Sequence, residues 1–303
     1  MKTKFTILLV LIANTLSAQM LTRGTENLDT LCQTKFTAVY QYSINTSDAD
    51  GNSVTDSIRL VLQVGDGVWK TWTYERYLFE RQKDEEIGED RYWFMHNEAL
   101  MHIATTLVGY PEGKTIIQEP VPPLYYEVRE DTKAPTWNMV DGTDSISGYL
   151  CKKAHGEFRG KIWNVLYAED IPTVAGPWKL HGLPGLITYA TDDRGIHTFK
   201  LIGLYQEAVP ITYSAGYLHS EFIIQERRMS TTVVPYEKVT REQMQKHKKD
   251  TFGNRQYLTT PMFYMSGPKT IFHTYGPKSG EYQFVGGLYI PDKAHKYQPL
   301  ELE

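Results

Sequence analysis

Residues 36–79 read FTAVYQYSINTSDADGNSVTDSIRLVLQVGDGVWKTWTYERYLF, and this stretch decides the fold. TAVYQYSI and DSIRLVLQVG alternate apolar with polar side chains and are rich in β-branched and aromatic residues, as half-buried strands are. The polar run SDADGNS and the turn Gly65-Asp66-Gly67 separate one strand from the next, and VWKTWTYERYLF continues in the same style. Outward from there the pattern repeats. LITYAT, the turn Asp192-Asp193-Arg194-Gly195 and IHTFKLIGL make one hairpin; SGYLCKKAHGEF and KIWNVLYAED make another around Arg159-Gly160. Turn signals recur about every 8 to 15 residues, the spacing of antiparallel strands rather than of βαβ units. The expected fold is mainly β: a strongly curved antiparallel sheet or open barrel with one or two short surface helices. A β-sandwich is the alternative.

VTREQMQKHKKDTFG carries the one helical signature, with Thr240 as N-cap, Gln243 completing a capping box and Gly253 as the stop. Its apolar face is thin, so the helix is expected on the surface, with Lys246–Lys249 as a solvated last turn. ERQKDEEIGED, Glu80 to Asp90, reads as a solvated loop or a frayed hairpin end, and Pro120, Pro122 and Pro123 mark a break before a new run of hairpins near Trp137. Neither a repeat nor a composition shift marks a linker.

Lys2 and Lys4 precede an apolar run from Phe5 to Leu16 and the small residues Ser17 and Ala18, the layout of a secretory signal peptide. Residues 1–18 are therefore expected to be removed, leaving one domain over 19–303 with no transmembrane segment. The whole chain carries 32 basic and 36 acidic residues, a net charge of −4. Losing Lys2 and Lys4 makes it more acidic, which argues against nucleic acid as a partner. In an oxidising compartment Cys32 and Cys151 can close one disulfide; two separate thiols are the other reading.

GPWKLHGLPGLI, Gly176 to Ile187, concentrates glycine and proline. Pro184 supplies the fixed φ and Gly185 the positive φ of a type II turn, so Gly182, Pro184 and Gly185 are expected to shape a structural turn that launches the following hairpin. A phosphate cradle would need glycines opening a helix, and an esterase oxyanion loop would need a G-x-S-x-G elbow; the chain has neither.

PEGKTIIQE from Pro111, TWNMV around Trp137, ISGYLCKKA at Ile146–Ala154, FRGKIWNVLYAEDIP at Phe158–Pro172 and GPWKLHGLPGLI follow one another in this order. As a block they resemble the GLPGLI family of exported proteins of Gram-negative bacteria, most strongly over Pro111 to Leu204. The resemblance implies export and a mostly β domain, and brings no catalytic residues with it.

Metal and catalytic signatures are sparse. H-E-x-x-H and C-x-x-C are absent. DADGNSVTD, Asp48 to Asp56, spaces its oxygens like a calcium loop, but its glycine comes at the fourth position and Arg59 stands where the bidentate acid belongs. His181 and His197 flank the best hairpin, with Asp192 and Asp193 at its tip, the strongest candidate for a carboxylate–imidazole set. Trp69, Trp72, Tyr74 and Tyr77 crowd what reads as one strand, where cross-strand pairing or a ligand-holding concave face would use them. The expected function is that of a non-enzymatic exported protein of the periplasm or cell surface, without a cofactor, binding an apolar or extended ligand or an envelope protein partner on that concave face. An envelope hydrolase or metal-dependent enzyme using His181, Asp193 and His197, and a structural component of a surface assembly, are the alternatives.

Overall fold

The computed structural model describes residues 28–47, 51–81, 104–121, 124–223, 228–252, 271–274, 280–285, 288–291 and 298–302. Residues 1–18, read as a signal peptide, most of the acidic stretch after Glu80, residues 48–50 of the DADG run and Gly253 lie outside them.

The strands are β1 (Leu28–Gln33), β2 (Phe36–Ser47), β3 (Ser53–Val64), β4 (Trp69–Thr73), β5 (Thr105–Val108), β6 (Lys114–Val121) and β7 (Leu124–Asp131). They continue as β8 (Thr136–Ile146), β9 (Tyr149–Phe158), β10 (Lys161–Ala168), β11 (Leu186–Asp192), β12 (His197–Tyr205) and β13 (Pro210–Ser214). Then follow β14 (Gly216–Ile223), β15 (Arg228–Pro235), β16 (Glu237–Lys238), β17 (Ile271–Thr274), β18 (Gly280–Val285) and β19 (Leu288–Pro291). Helix α1 is Tyr74–Glu80 and helix α2 Arg241–Phe252.

Twelve strands form one sheet in the order β16-β7-β6-β5-β4-β3-β2-β12-β11-β10-β9-β8, and β16 and β8 do not pair with each other. Chain length requires the sheet to curl. β7 and β8 lie ten strand steps apart, about 48 Å in a flat sheet at about 4.8 Å per step. Only Thr132–Pro135 connect them, and that link reaches about 18 Å at most. The two ends therefore approach each other and leave an open barrel whose seam runs between β7 and β8. The two-residue turns are built for this twist: Ser147-Gly148 joins β8 to β9 and Arg159-Gly160 joins β9 to β10, with φ of 51° and 85° in the first and 53° and 73° in the second.

Period-2 alternation sorts the side chains. Tyr40, Tyr42, Leu60, Leu62, Trp163 and Phe199 fill the concave interior, whereas Val39, Val61 and Trp72 face outward under α1. β1 and β13 pair as a separate ribbon that covers the outer face of β5 and β6 through Cys32, Ile211 and Tyr213.

Two expectations change, and one of two open alternatives drops out. The aromatic strand ends at Thr73, so Tyr74 and Tyr77 belong to α1, and Trp69 and Trp72 point to opposite sides of the sheet. Cys32 and Cys151 are free thiols, the first in the outer ribbon cluster and the second in the barrel core, so the sheet itself separates them. Gly185 lies outside the left-handed region, so the turn is not type II; Gly182 instead takes φ of 99°. Gly185 is required for another reason: a Cβ there would overlap the carbonyl oxygen of Ala168 and sit 2.6 Å from its carbon.

The capping box stands as read. Gln243 Oε1 accepts from the Thr240 amide at 2.8 Å, and Thr240 Oγ1 accepts from the Gln243 amide at 3.3 Å. The helix is not simply a surface element, however. Met244 packs on Ile117, Tyr126 and Val128 of β6 and β7, and Lys248 is buried beside it.

Candidate binding site at the barrel mouth

The GPWKLHGLPGLI loop enters the barrel. Trp178, Leu180 and Leu183 are fully or nearly buried in the interior core with Trp163 and Phe199. The loop is pinned across the barrel to the strands opposite: the Trp178 amide donates to Thr71 Oγ1 of β4 at 3.1 Å, and Thr106 Oγ1 of β5 donates to the Trp178 carbonyl at 3.4 Å. Trp178 holds φ at 56°, an uncommon conformation for an aromatic residue that costs on the order of 1–3 kcal/mol. The turn closed by Leu180 N to Pro177 O keeps it there. Its consequence is the direction of the next residue, since Lys179 projects into the mouth of the barrel.

Lys179 Nζ donates to Glu130 Oε1 of β7 at 2.9 Å and to Glu301 Oε1 at 2.5 Å. Arg159, at the β9–β10 turn, donates to the same Glu130 oxygen at 2.7 Å, so β7 and the far end of the sheet are tied by charge where no backbone bond joins them. Arg241 of α2 reaches Glu301 Oε2 at 3.2 Å. Lys248, also on α2, pairs with Glu119 of β6 at 2.6 Å. The mouth thus holds four cations, Lys179, Arg159, Arg241 and Lys248, against three carboxylates, Glu119, Glu130 and Glu301.

Electrostatics divides the carboxylates. Burial pushes Glu119 above the usual carboxylate range, against the pull of Lys248. Burial also pushes Glu301 up, but Lys179, followed by Arg159 and Lys248, holds it below that range. Glu301 is therefore an anion held by basic groups.

Glu301 arrives on a short segment lying across the mouth. The Pro299 carbonyl accepts from His197 Nε2 at 3.2 Å, Leu300 is buried in the interior core, and the Leu302 amide donates to the Arg159 carbonyl at 3.0 Å. Beside it an open groove of about 490 Å³ runs from Lys133 and Thr136 at the start of β8 to Phe158 and Arg159.

Of the residues singled out from sequence, Asp192 and His197 meet, but through the His197 backbone amide, whereas His181 and Asp193 are placed elsewhere. His197 is buried, with Nε2–H on the Pro299 carbonyl and Nδ1 accepting from the Tyr42 hydroxyl at 2.9 Å. Asp192 is equally committed: Oδ1 accepts from the amides of Ile196 and His197 at 2.6 and 3.1 Å, and Oδ2 pairs with Lys161 at 3.0 Å. Asp193 is exposed at the turn. His181 packs edge-on against Trp69 at 5.2 Å, and burial lowers its pKa. No ring nitrogen of His197 is left for a substrate. Among the described residues no group of three His, Cys, Asp or Glu side chains is placed to hold a metal.

Burial, then Lys161, against the opposing pull of Asp192, lowers the His197 pKa to about 3. The imidazole is neutral when folded, while the unfolded chain takes up a proton below about 6.5. Stability from this residue is therefore complete above pH 6.5 and is lost as pH falls toward 3, at up to about 1.4 kcal/mol per pH unit. Urea unfolding of the parent and of His197→Gln between pH 7 and 4 should give a steeper loss in the parent. Parallel pH profiles would contradict the assignment.

The mouth is not evident from sequence, although one signal points toward it. In KTIIQEPV, Glu119 falls on the same alternating face as Ile117 and Val121; Lys161 in KIWNVLYA, on the face of Trp163 and Val165, likewise announces its buried pair with Asp192. Charges on an inward face require buried partners.

Comparison with known proteins adds little. No protein-family profile and no curated protein matches the chain. Two solved structures of PNGF-II, in P21 and C2 crystal forms, resemble it with TM-scores of 0.42 and 0.40 and identities of 11% and 12%. The likeness covers 73% of this chain and 34% and 33% of those chains, so this chain spans about a third of their length.

Proposed function

We propose that the chain is an exported, non-enzymatic envelope protein of the GLPGLI kind that binds an extended, anionic segment of a partner at the mouth of its barrel. The single observation behind this reading is the surplus of buried and half-buried cations there. Lys179, Arg159, Arg241 and Lys248 outnumber the carboxylates that the barrel strands themselves supply, Glu119 and Glu130, and buried charge of one sign calls for a counter-charge. The concave face is not a vacant greasy trough, since Trp178, Leu180 and Leu183 of the chain's own loop fill it. Recognition therefore moves from the wall of the barrel to its rim. The fully engaged ring of His197 gives no support to an imidazole-based hydrolase.

Titrating the protein purified from its export compartment with labelled hexapeptides of acidic, neutral and basic composition tests the reading. Saturable binding of the acidic peptide, weakened by Arg241→Gln, is expected. Equal binding of all three, or of none, would overturn it. The amino terminus of the same preparation should begin near residue 19.

A further inference from the structure

The segment around Glu301 meets the barrel as a bound peptide would. Four consecutive residues each make specific contacts: the Pro299 carbonyl with the His197 ring, Leu300 with the interior core, Glu301 with Lys179 and Arg241, and the Leu302 amide with the Arg159 carbonyl. Two main-chain bonds fix the register, and an apolar pocket followed by a cationic cage reads the side chains between them. This is the division of labour of peptide-recognition sites, where the backbone supplies affinity and pockets supply specificity. The sequence read is apolar-then-acidic, Leu-Glu.

Resting on the mouth reading, we propose that the site recognises an extended Leu-Glu segment of a partner protein, and that residues 299–302 occupy it in cis until such a segment displaces them. Withdrawing Glu301 alone would leave the mouth's four cations facing only Glu119 and Glu130. An empty mouth is therefore disfavoured, and exchange of one acidic segment for another is the route that keeps the charge compensated. The resident segment lowers the apparent affinity for the incoming one by the fraction of molecules in which the mouth is free. The groove between Lys133 and Arg159 gives the incoming chain an approach alongside the edge of β8, which pairs with no second strand among the described residues.

The probe is the labelled peptide Gln-Pro-Leu-Glu-Leu-Glu, tested on the full chain and on the full-length double variant Leu300→Ser/Glu301→Gln. Weakening the resident segment should tighten peptide binding by about tenfold or more, and replacing the peptide's first Glu by Gln should remove that gain. Equal affinity of parent and variant would overturn the competition while leaving the mouth as a binding site. Binding to neither, with the variant folded by circular dichroism, would overturn both. Should the double variant not fold, amide exchange in the parent decides: millimolar peptide should accelerate exchange of the Leu302 amide, and an unchanged rate would refute displacement.

Discussion

Lys179→Met is expected to lower the unfolding free energy by about 3–5 kcal/mol, the range found when one partner of a buried ion pair is removed. The substitution keeps the length and apolar stem of the side chain, so packing against Trp178 is largely retained and the lost ammonium dominates. Its loss leaves the buried Glu301 and the half-buried Glu130 with fewer donors. Location makes the effect large. The side chains of Lys179 and Glu301 are 4% and 6% exposed, whereas those of the surface pair Lys35–Asp66 are 64% and 91% exposed. Lys35→Met should accordingly leave the melting temperature unchanged, because water screens such a pair and side-chain entropy opposes it. Chemical denaturation of both variants gives the comparison, and equal effects would mean that the mouth is wet and its charges ordinary.

Gly185→Ala is expected to cost about 3 kcal/mol or more, placing it among the large single-residue effects. Positive φ is not the reason. The added methyl group would overlap the Ala168 carbonyl and stand 2.8 Å from the Glu169 amide nitrogen, all of it backbone of the neighbouring strand and its exit. Backbone cannot turn aside as a side chain can, so the loop or the β10–β11 pairing must shift. Gly176→Ala meets the same obstacle at the Leu180 carbonyl. Gly195→Ala is the control, because its Cβ would meet nothing within 4 Å; the strain of its φ of 64° is the sole penalty there. A smaller loss at Gly185 than at Gly195 would contradict the close-approach account.

These two substitutions mark how far the sequence could be read. Strand alternation in β2, β3, β11 and β12, the turns at Arg159-Gly160 and Asp192–Gly195, and the Thr240–Gln243 cap depend on neighbours in sequence, and all were legible. The open, curled sheet was legible as a class. Its seam was not, because it depends on β7 and β8 lying ten steps apart in the strand order while only Thr132–Pro135 join them. Gly185 reads from sequence as a demanding position, but sequence does not separate the two reasons, since a type II turn and a close approach to distant backbone both select glycine. Lys179, Glu130, Arg159, Arg241 and Glu301 come from five separate places in the chain. Nothing local distinguishes Lys179 from a solvated lysine except its apolar neighbours Trp178 and Leu180. His181 and His197 drew attention as the residues of richest chemistry, yet both are consumed by the packing and hydrogen bonding of the core.

The central claim is that Glu301 lies in the cationic cage of the mouth and helps hold it together. A double-mutant cycle on Lys179→Met and Glu301→Gln, read by urea unfolding at pH 7.5, tests this most directly. The contact requires a coupling energy of about 1 kcal/mol or more, so the double variant should be less destabilised than the two single variants together. Additivity within about 0.5 kcal/mol, the behaviour of sites that do not touch, would place Glu301 elsewhere and contradict the account.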